Sequence, residues 1–299
     1  MNPHLSIDPL TDLHQMLVYP FMVNALEAGT TVAVMASVAG WFMVLRRETF
    51  AGHTLSLMSF PGASAAALAG ISLSAGYFGF CVVGALAIAA SSRSGGRRNL
   101  AQESAVIGSV QATALALGFL FLSLYGGILE NLEALLFGSF LGITTGQVQT
   151  LVAVTVAVLV FFAFAGRPLF FASLDELGAS ARAVPVRLLH VAFLVVLGLA
   201  VAATAQITGV LLVFALLVAP AAAAQQLTAR IPLSLLLTVV FALAIVWIGL
   251  ALAYFGNYSI GFYVSTLAFG LYLICRGGRA MASRLGGNTR RLRPAGTTA

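Results

Sequence analysis

The run LSLLLTVVFALAIVWIGLALAY, residues 233–254, holds no charge and no proline. About 20 apolar residues at 1.5 Å per residue cover the ~30 Å hydrocarbon core of a bilayer. Inside that core only helices and closed barrels satisfy their own backbone N–H and C=O groups. The run is continuous rather than alternating, so it reads as a transmembrane helix.

Eight further runs of the same kind lie at 19–45, 54–73, 77–90, 104–125, 148–165, 188–206, 210–227 and 259–275. The third is short, so the count is eight or nine. A tenth apolar piece, 132–143, is too brief to cross and reads as re-entrant or interfacial. The whole chain agrees: of 299 residues 60% are hydrophobic and 8% charged, with a mean hydropathy of +1.02. A soluble domain carries roughly 25% charged residues. The fold class is therefore all-α, a polytopic helical bundle whose solvent, and first partner, is membrane lipid.

Charge sets the orientation. All fifteen basic residues are arginine. They follow the first, third, fifth, seventh and ninth runs, so nine crossings place every one of them on one side. Asp8, Asp12, Glu130 and Glu133 fall on the other. Arginine-rich segments stay in the cytoplasm, which puts the N-terminus outside and the C-terminus inside. Residues 1–18 form an extracytoplasmic segment, 19–276 the membrane domain and 277–299 a basic tail. Gly, Arg, Pro and Thr in that tail favour disorder. Its arginines suit anionic lipid rather than nucleic acid, and SSRSGGRRN (91–99) reads as a flexible loop. Residues 1–17 lack a basic stretch ahead of the first run, so no cleavable signal is expected. Cys81 and Cys275 sit singly in apolar runs, which is neither a disulfide framework nor a metal spacing.

The longest polar segment between runs is GRPLFFASLDELGASARAVPVR, 166–187. Ser173 and Glu176 have capping-box spacing, Asp175 and Glu176 suit the positive end of a helix, and Pro185 stops it or starts the next run. A short helix lying on the cytoplasmic face, within 172–184, is one reading; an ordinary amphipathic loop is the other. A phosphate-binding GxxxxGK[ST] loop needs its lysine, and the chain has none. Work driven by ATP would use a separate subunit, and the chain itself is expected to hold no cofactor and to be no enzyme.

Ionisable groups at membrane depth are costly and point to function. Glu27, a third of the way into the first run, either lines a cation path or makes an interhelical hydrogen bond. His53 opens the second run as a ligand, a gate or an interfacial histidine. His190 reads as interfacial and Glu103 as structural. A metal cage needs three or four His, Cys or carboxylate ligands, more than the runs supply, so a passing cation would be held transiently. No HExxH or GxSxG pattern is present.

Four strings, taken in order, resemble the metal-chelate permease family of ATP-binding cassette (ABC) importers, of zinc, manganese and iron type. LRRETFAGHTLSLMSFPGASAAALAG (45–70) is similar to that family's basic pair followed by Gly-Asp-Ala-Leu-Ser-His-Ala-x-x-Pro-Gly, with Gly52, Ser56, Pro61 and Gly62 in register. GVLLVFALLVAPAAAA (209–224) resembles its Gly-x-Leu-Leu-Val run, with Pro220 as the proline. Residues 173–186 look like its coupling helix, from Asp175 through Glu176 and Arg182 to Pro185. LEALLFGSFLGIT (132–144) fits a further segment. His53 stands where the family has aspartate, Leu57 where it has histidine, and Ala183 where it has glycine.

The resemblance implies a type II ABC importer permease in the bacterial inner membrane. Two copies would pack around a central path, ABC ATPase subunits would dock on the coupling helix, and an extracytoplasmic solute-binding protein would deliver the cargo, zinc or manganese. It makes His53 a candidate metal contact, beside Glu27, a candidate by its depth in the first run, and makes Gly52, Ser56, Pro61, Gly62 and Pro220 the gating positions. An ABC permease for another cargo and an ion-coupled secondary transporter remain alternatives. The latter would want an inverted repeat; a scaffold or an intramembrane enzyme is a third class.

Overall fold

The structure, a computed structural model, describes residues 18–91, 100–126, 138, 142–210, 212–256 and 258–290. Its helices are α1 (Pro20–Leu45), α2 (Thr49–Ala69), α3 (Leu73–Ser91), α4 (Leu100–Tyr125), α5 (Thr145–Leu174), α6 (Glu176–Ala181), α7 (Val186–Thr208), α8 (Val213–Leu227), α9 (Ile231–Phe255) and α10 (Ile260–Arg290). Each of the nine apolar runs falls on its own helix, and no strand occurs among the described residues. The piece at 132–143 lies largely outside them. Only Gly138 and its end at 142–143 are placed, with Gly138 at φ 80 and its Cα against the backbone of Ile207 to Gly209.

Local chemistry sets the helix ends. Pro20 opens α1 at its first position, where its missing N–H is not needed. Thr144 and Gln147 close a reciprocal capping box at the start of α5, with Thr144 N donating to Gln147 Oε1 at 2.9 Å. Gly70 ends α2 in the left-handed conformation, φ 68.

Seven helices are long and apolar enough to cross a membrane by themselves; α2 and α8 are not among them. α8 has only 15 residues. α2 is too polar in composition, and its place in the bundle explains why that is tolerated. It lies between α3 and α4, with 14 of its 21 residues buried, so Thr54, Ser56, Ser59 and Ser64 never meet lipid. Each finds a partner inside: Thr54 donates to Gln111 Oε1 at 3.1 Å, Ser56 to the His53 carbonyl at 2.7 Å and Ser64 to the Phe60 carbonyl at 3.0 Å, while Ser59 Oγ meets Cys81 Sγ at 3.2 Å.

Glycines let the backbones close. A Cβ on Gly62 would stand 2.4 Å from the Gly76 carbonyl oxygen, and one on Gly118 would stand 2.5 Å from the Phe60 ring. Gly40 brings α1 against α8 in the same way, its Cβ position 2.0 Å from the Leu217 carbonyl oxygen. Between helices in lipid, such close packing replaces the hydrophobic drive available in water.

Polar contacts gather the arginine-bearing ends. Arg46 at the end of α1 reaches Ser173 at the end of α5 and His190 at the start of α7. Gln225 in α8 donates to the Trp41 carbonyl, and Arg279 of α10 to the Gln226 carbonyl at 2.9 Å. At the other end Ser74 donates to Gln206 and Asn24 to the Ile143 carbonyl.

Two expectations are corrected. α5 does not stop at 165 but runs through Gly166, Arg167 and Pro168 to Leu174, because Leu169 and Ala172 are buried beyond the proline. α10 stays helical as far as Arg290, where a disordered tail was expected from 277; residues 291–299 lie outside the described ones.

Gly62→Ala is expected to lower stability by about 1–3 kcal/mol through overpacking, whereas Gly79→Ala, with no atom near its Cβ position, should be neutral or slightly stabilising. Thermal midpoints in detergent by fluorescence-detected size exclusion check the pair; equal midpoints would contradict the crossing.

Candidate functional site

The 45–70 segment forms the sharp turn between α1 and α2 and most of α2. Arg46 caps α1, Arg47 takes φ 59, and Glu48 N reaches back to the Met43 carbonyl at 3.0 Å. This is the 6→1 bond of a helix-ending motif that usually uses glycine at the left-handed position. Gly52 then lies against Met43, whose sulfur would be 2.1 Å from a Cβ there. His53 sits in the first turn of α2 with its ring 5.0 Å from the ring of Phe214 in α8, edge to face. Its Nδ1 is buried with no hydrogen-bond partner among the described residues. His53 therefore joins α2 to α8, the two helices of the matched strings.

Pro61 and Gly62 lie deeper in α2 and Pro220 in the middle of α8. Each proline withholds an N–H from the helix ladder and leaves one carbonyl without its usual donor. Gly62 has an evident packing role against Gly76. Ser56 is turned back on the His53 carbonyl. Glu27 is exposed in the N-terminal third of α1. The remaining 18 residues of α1, less the few from the start of α2 to His53, separate them by roughly 20 Å along the bundle. The structure does not bring the two together. Among the described residues no three His, Cys, Asp or Glu side chains converge as a metal cluster.

The 166–187 segment does contain a short helix, α6. Its cap is Asp175 rather than Ser173: Gly178 N donates to Asp175 Oδ1 at 2.9 Å. Ser173 cannot cap because it is still in the last turn of α5, donating to the Leu169 carbonyl. Glu176 occupies the first turn of α6 and Arg182 caps its end, the guanidinium 5.3 Å from the Phe171 ring. Pro185 is the N-cap of α7. Between them Ala183 has φ 59, with its N–H on the Ser180 carbonyl and that of Val184 on the Ala179 carbonyl, both at 3.1 Å. That is the glycine position of the helix-ending motif. Ala179 is fully buried beneath α6, whereas Leu177 is 85% exposed on its outer side. α6 thus presents an apolar knob at the arginine-bearing end.

One cluster was missed from the sequence. Arg46 Nε and Nη2 each lie 3.0 Å from Glu48 Oε1, Nη1 donates to Ser173 Oγ at 3.1 Å, and Nη2 is 3.1 Å from His190 Nδ1. His190 Nδ1 is also 3.3 Å from Glu48 Oε1. The guanidinium lies 4.9 Å from the Phe193 ring, and Arg46 and Glu48 side chains are each only 7% exposed. A buried pair of this kind holds only when its geometry and added hydrogen bonds offset desolvation. Arg46 read as one of the orienting charges and His190 as interfacial, and the sole local clue was the Arg-Arg-Glu triplet.

An alanine at φ 59 carries roughly 1–2 kcal/mol of left-handed strain, part of which glycine's greater freedom when unfolded would cancel. Ala183→Gly is therefore expected to stabilise by up to about 1 kcal/mol and raise the thermal midpoint; a lowered midpoint would contradict the assignment.

Residues 18–276 match the model of the ABC 3 transport family. The chain is similar to the manganese transport system membrane protein MntC of Halalkalibacterium halodurans, 30% identical over 227 residues covering 76% of each protein. It is also similar to the manganese import system permease protein ScaB of Streptococcus parasanguinis, 27% identical over 85% of this chain and 87% of that one. In fold it matches a chain of PsaBC from Streptococcus pneumoniae in complex with Fab, with a TM-score of 0.79 and 24% identity over 90% of this chain and 95% of the other. The chain is a multi-pass membrane protein that belongs to the ABC 3 transport family.

Proposed function

We propose that this chain is the membrane-spanning permease subunit of an ABC importer for a divalent metal cation, manganese or zinc, in the bacterial inner membrane. The observation that carries the reading is α6. It is a capped helix held between α5 and α7, at the end where the arginines gather, with Leu177 standing free of the bundle. An apolar side chain so placed suits burial in a partner, because well-buried apolar anchors dominate association. The positive-inside rule makes that end cytoplasmic, with the N-terminus outside and the C-terminus inside. The sequence has no lysine and hence no phosphate-binding loop of its own. ABC ATPase subunits docked around Asp175, Glu176, Arg182 and Pro185 would supply the work.

The cargo reading rests on the names of the relatives and on His53. Two copies would enclose the path and a solute-binding protein would load it from outside. His53 offers one imidazole nitrogen beside α8. Ser56 and backbone carbonyls freed by Pro61 and Pro220 could add oxygen ligands in passing, and Glu27 would attract a cation at the outer end. Weak, incomplete coordination suits a transporter, whose ligand must leave as readily as it enters. Directional movement then needs the cation to favour one of the two permease states over the other.

Leu177→Asp is expected to reduce the ATPase co-purifying with the permease by about tenfold or more, as loss of an interface anchor does; unchanged recovery would remove α6 as the dock. For the cargo, total manganese, zinc and iron are measured by mass spectrometry in chelator-stressed cells lacking the chain, restored with wild type or with His53→Ala. Loss of one metal, rescued by wild type alone at equal expression, is the expected result. No change in any metal would contradict the cargo.

A further inference from the structure

Arg46 touches its near neighbour Glu48 and two segments that are far from it in sequence. Its contacts to Ser173 and His190 span 127 and 144 residues. The three directions are taken by different nitrogens of one planar group: Nε to Glu48, Nη1 to Ser173 and Nη2 shared between Glu48 and His190. Ser173 lies two residues before the Asp175 cap of α6, and His190 five residues beyond the Pro185 that begins α7. Both connections by which α6 hangs from the bundle are therefore fastened to the same guanidinium. On its other side Arg46 is one residue from the left-handed Arg47 and two from Glu48, whose carbonyl accepts the Gly52 N–H at 3.0 Å in the first turn of α2. His53 is the next residue.

Packing of α6 against the membrane domain is slight beyond its joins to α5 and α7. A displacement of α6 must pass through those two joins, and Arg46 is where they meet α2. His190 Nε2 is buried with no hydrogen-bond partner among the described residues. Left-handed backbone at both Arg47 and Ala183 brackets the same path; strain at such points recurs at switch regions.

We infer that Arg46 is a positioning residue that couples movement of α6 to the start of α2, making ATP hydrolysis by the docked subunits productive at His53. The inference rests on the permease reading. It depends on the fork of the guanidinium rather than on charge alone, since an ammonium's three donors radiate from one nitrogen and cannot span partners reached by three separate ones. Arg46→Lys keeps the charge and removes the fork, and Ser173→Ala removes one contact without touching charge.

The test uses the full complex of permease and ATPases in liposomes, with manganese-loaded binding protein outside, reading both ATP hydrolysed and manganese delivered. In Arg46→Lys the manganese delivered per ATP should fall about tenfold, within the range of ordinary coupling energies, with basal hydrolysis and complex recovery near wild type. Ser173→Ala should lower the same ratio by a smaller factor. A wild-type ratio in both variants would overturn the inference, and so would a proportional fall of both rates with loss of assembled complex, the result of a purely structural staple. Wild-type complex that delivers neither manganese nor, with zinc-loaded binding protein, zinc would instead overturn the permease reading itself, and the inference with it.

Discussion

Everything in this bundle depends on sinking one polar helix, α2, into the middle of a protein that lives in hydrocarbon. Lipid offers α2 no hydrogen bonds, so Ser56 and Ser64 turn back on its own carbonyls, while Thr54 and Ser59 need partners on neighbouring helices that come very close. Gly62 against Gly76, and Gly118 against Phe60, provide the approach. Thr54–Gln111 and Ser59–Cys81 use it. The same constraint explains why α2 carries less apolar character than the helices around it: they face lipid on its behalf. It also places Thr54, Ser56, Ser59 and Ser64 in the interior without the outer wall being breached.

Much of this was legible in the sequence because the bilayer is a severe filter. A run such as 233–254 has few alternatives to a crossing helix, and each of the nine runs fell on one helix. Boundaries were less legible. Pro168 and the Gly-Arg before it read as an end to α5, yet buried Leu169 and Ala172 hold the helix beyond them. Asp175 displaced Ser173 as the cap of α6 for the same reason. The Arg46 cluster was not legible, since Ser173 and His190 lie more than a hundred residues from Arg46 and Glu48 and each has an ordinary local reading. Ala183 was visible only as a departure from a glycine, and its φ gives that departure a physical meaning.

The candidate site divides into a polar interior and a handle at the arginine-bearing end. His53 and Phe214 join α2 to α8; Leu177 and Asp175 shape the handle; Arg46 lies between. Glu27 stands apart in the N-terminal third of α1. No set of three ligands converges among the described residues, and a permease does not require one. On the proposed reading its task is to let a cation pass while a conformational cycle driven elsewhere sets the direction. A secondary transporter would instead place its coupling charges near the midplane, where the described part of α2 offers hydroxyls and a proline.

The source of energy therefore separates the account from its rival most directly. Uptake of manganous ion is to be measured in energised membrane vesicles carrying this permease, its binding protein, and an ATPase subunit with or without its phosphate-binding lysine. Accumulation that requires that lysine and survives collapse of the proton gradient is the predicted result. Accumulation that persists with the disabled ATPase and disappears with the gradient would contradict the account and make the chain an ion-coupled transporter.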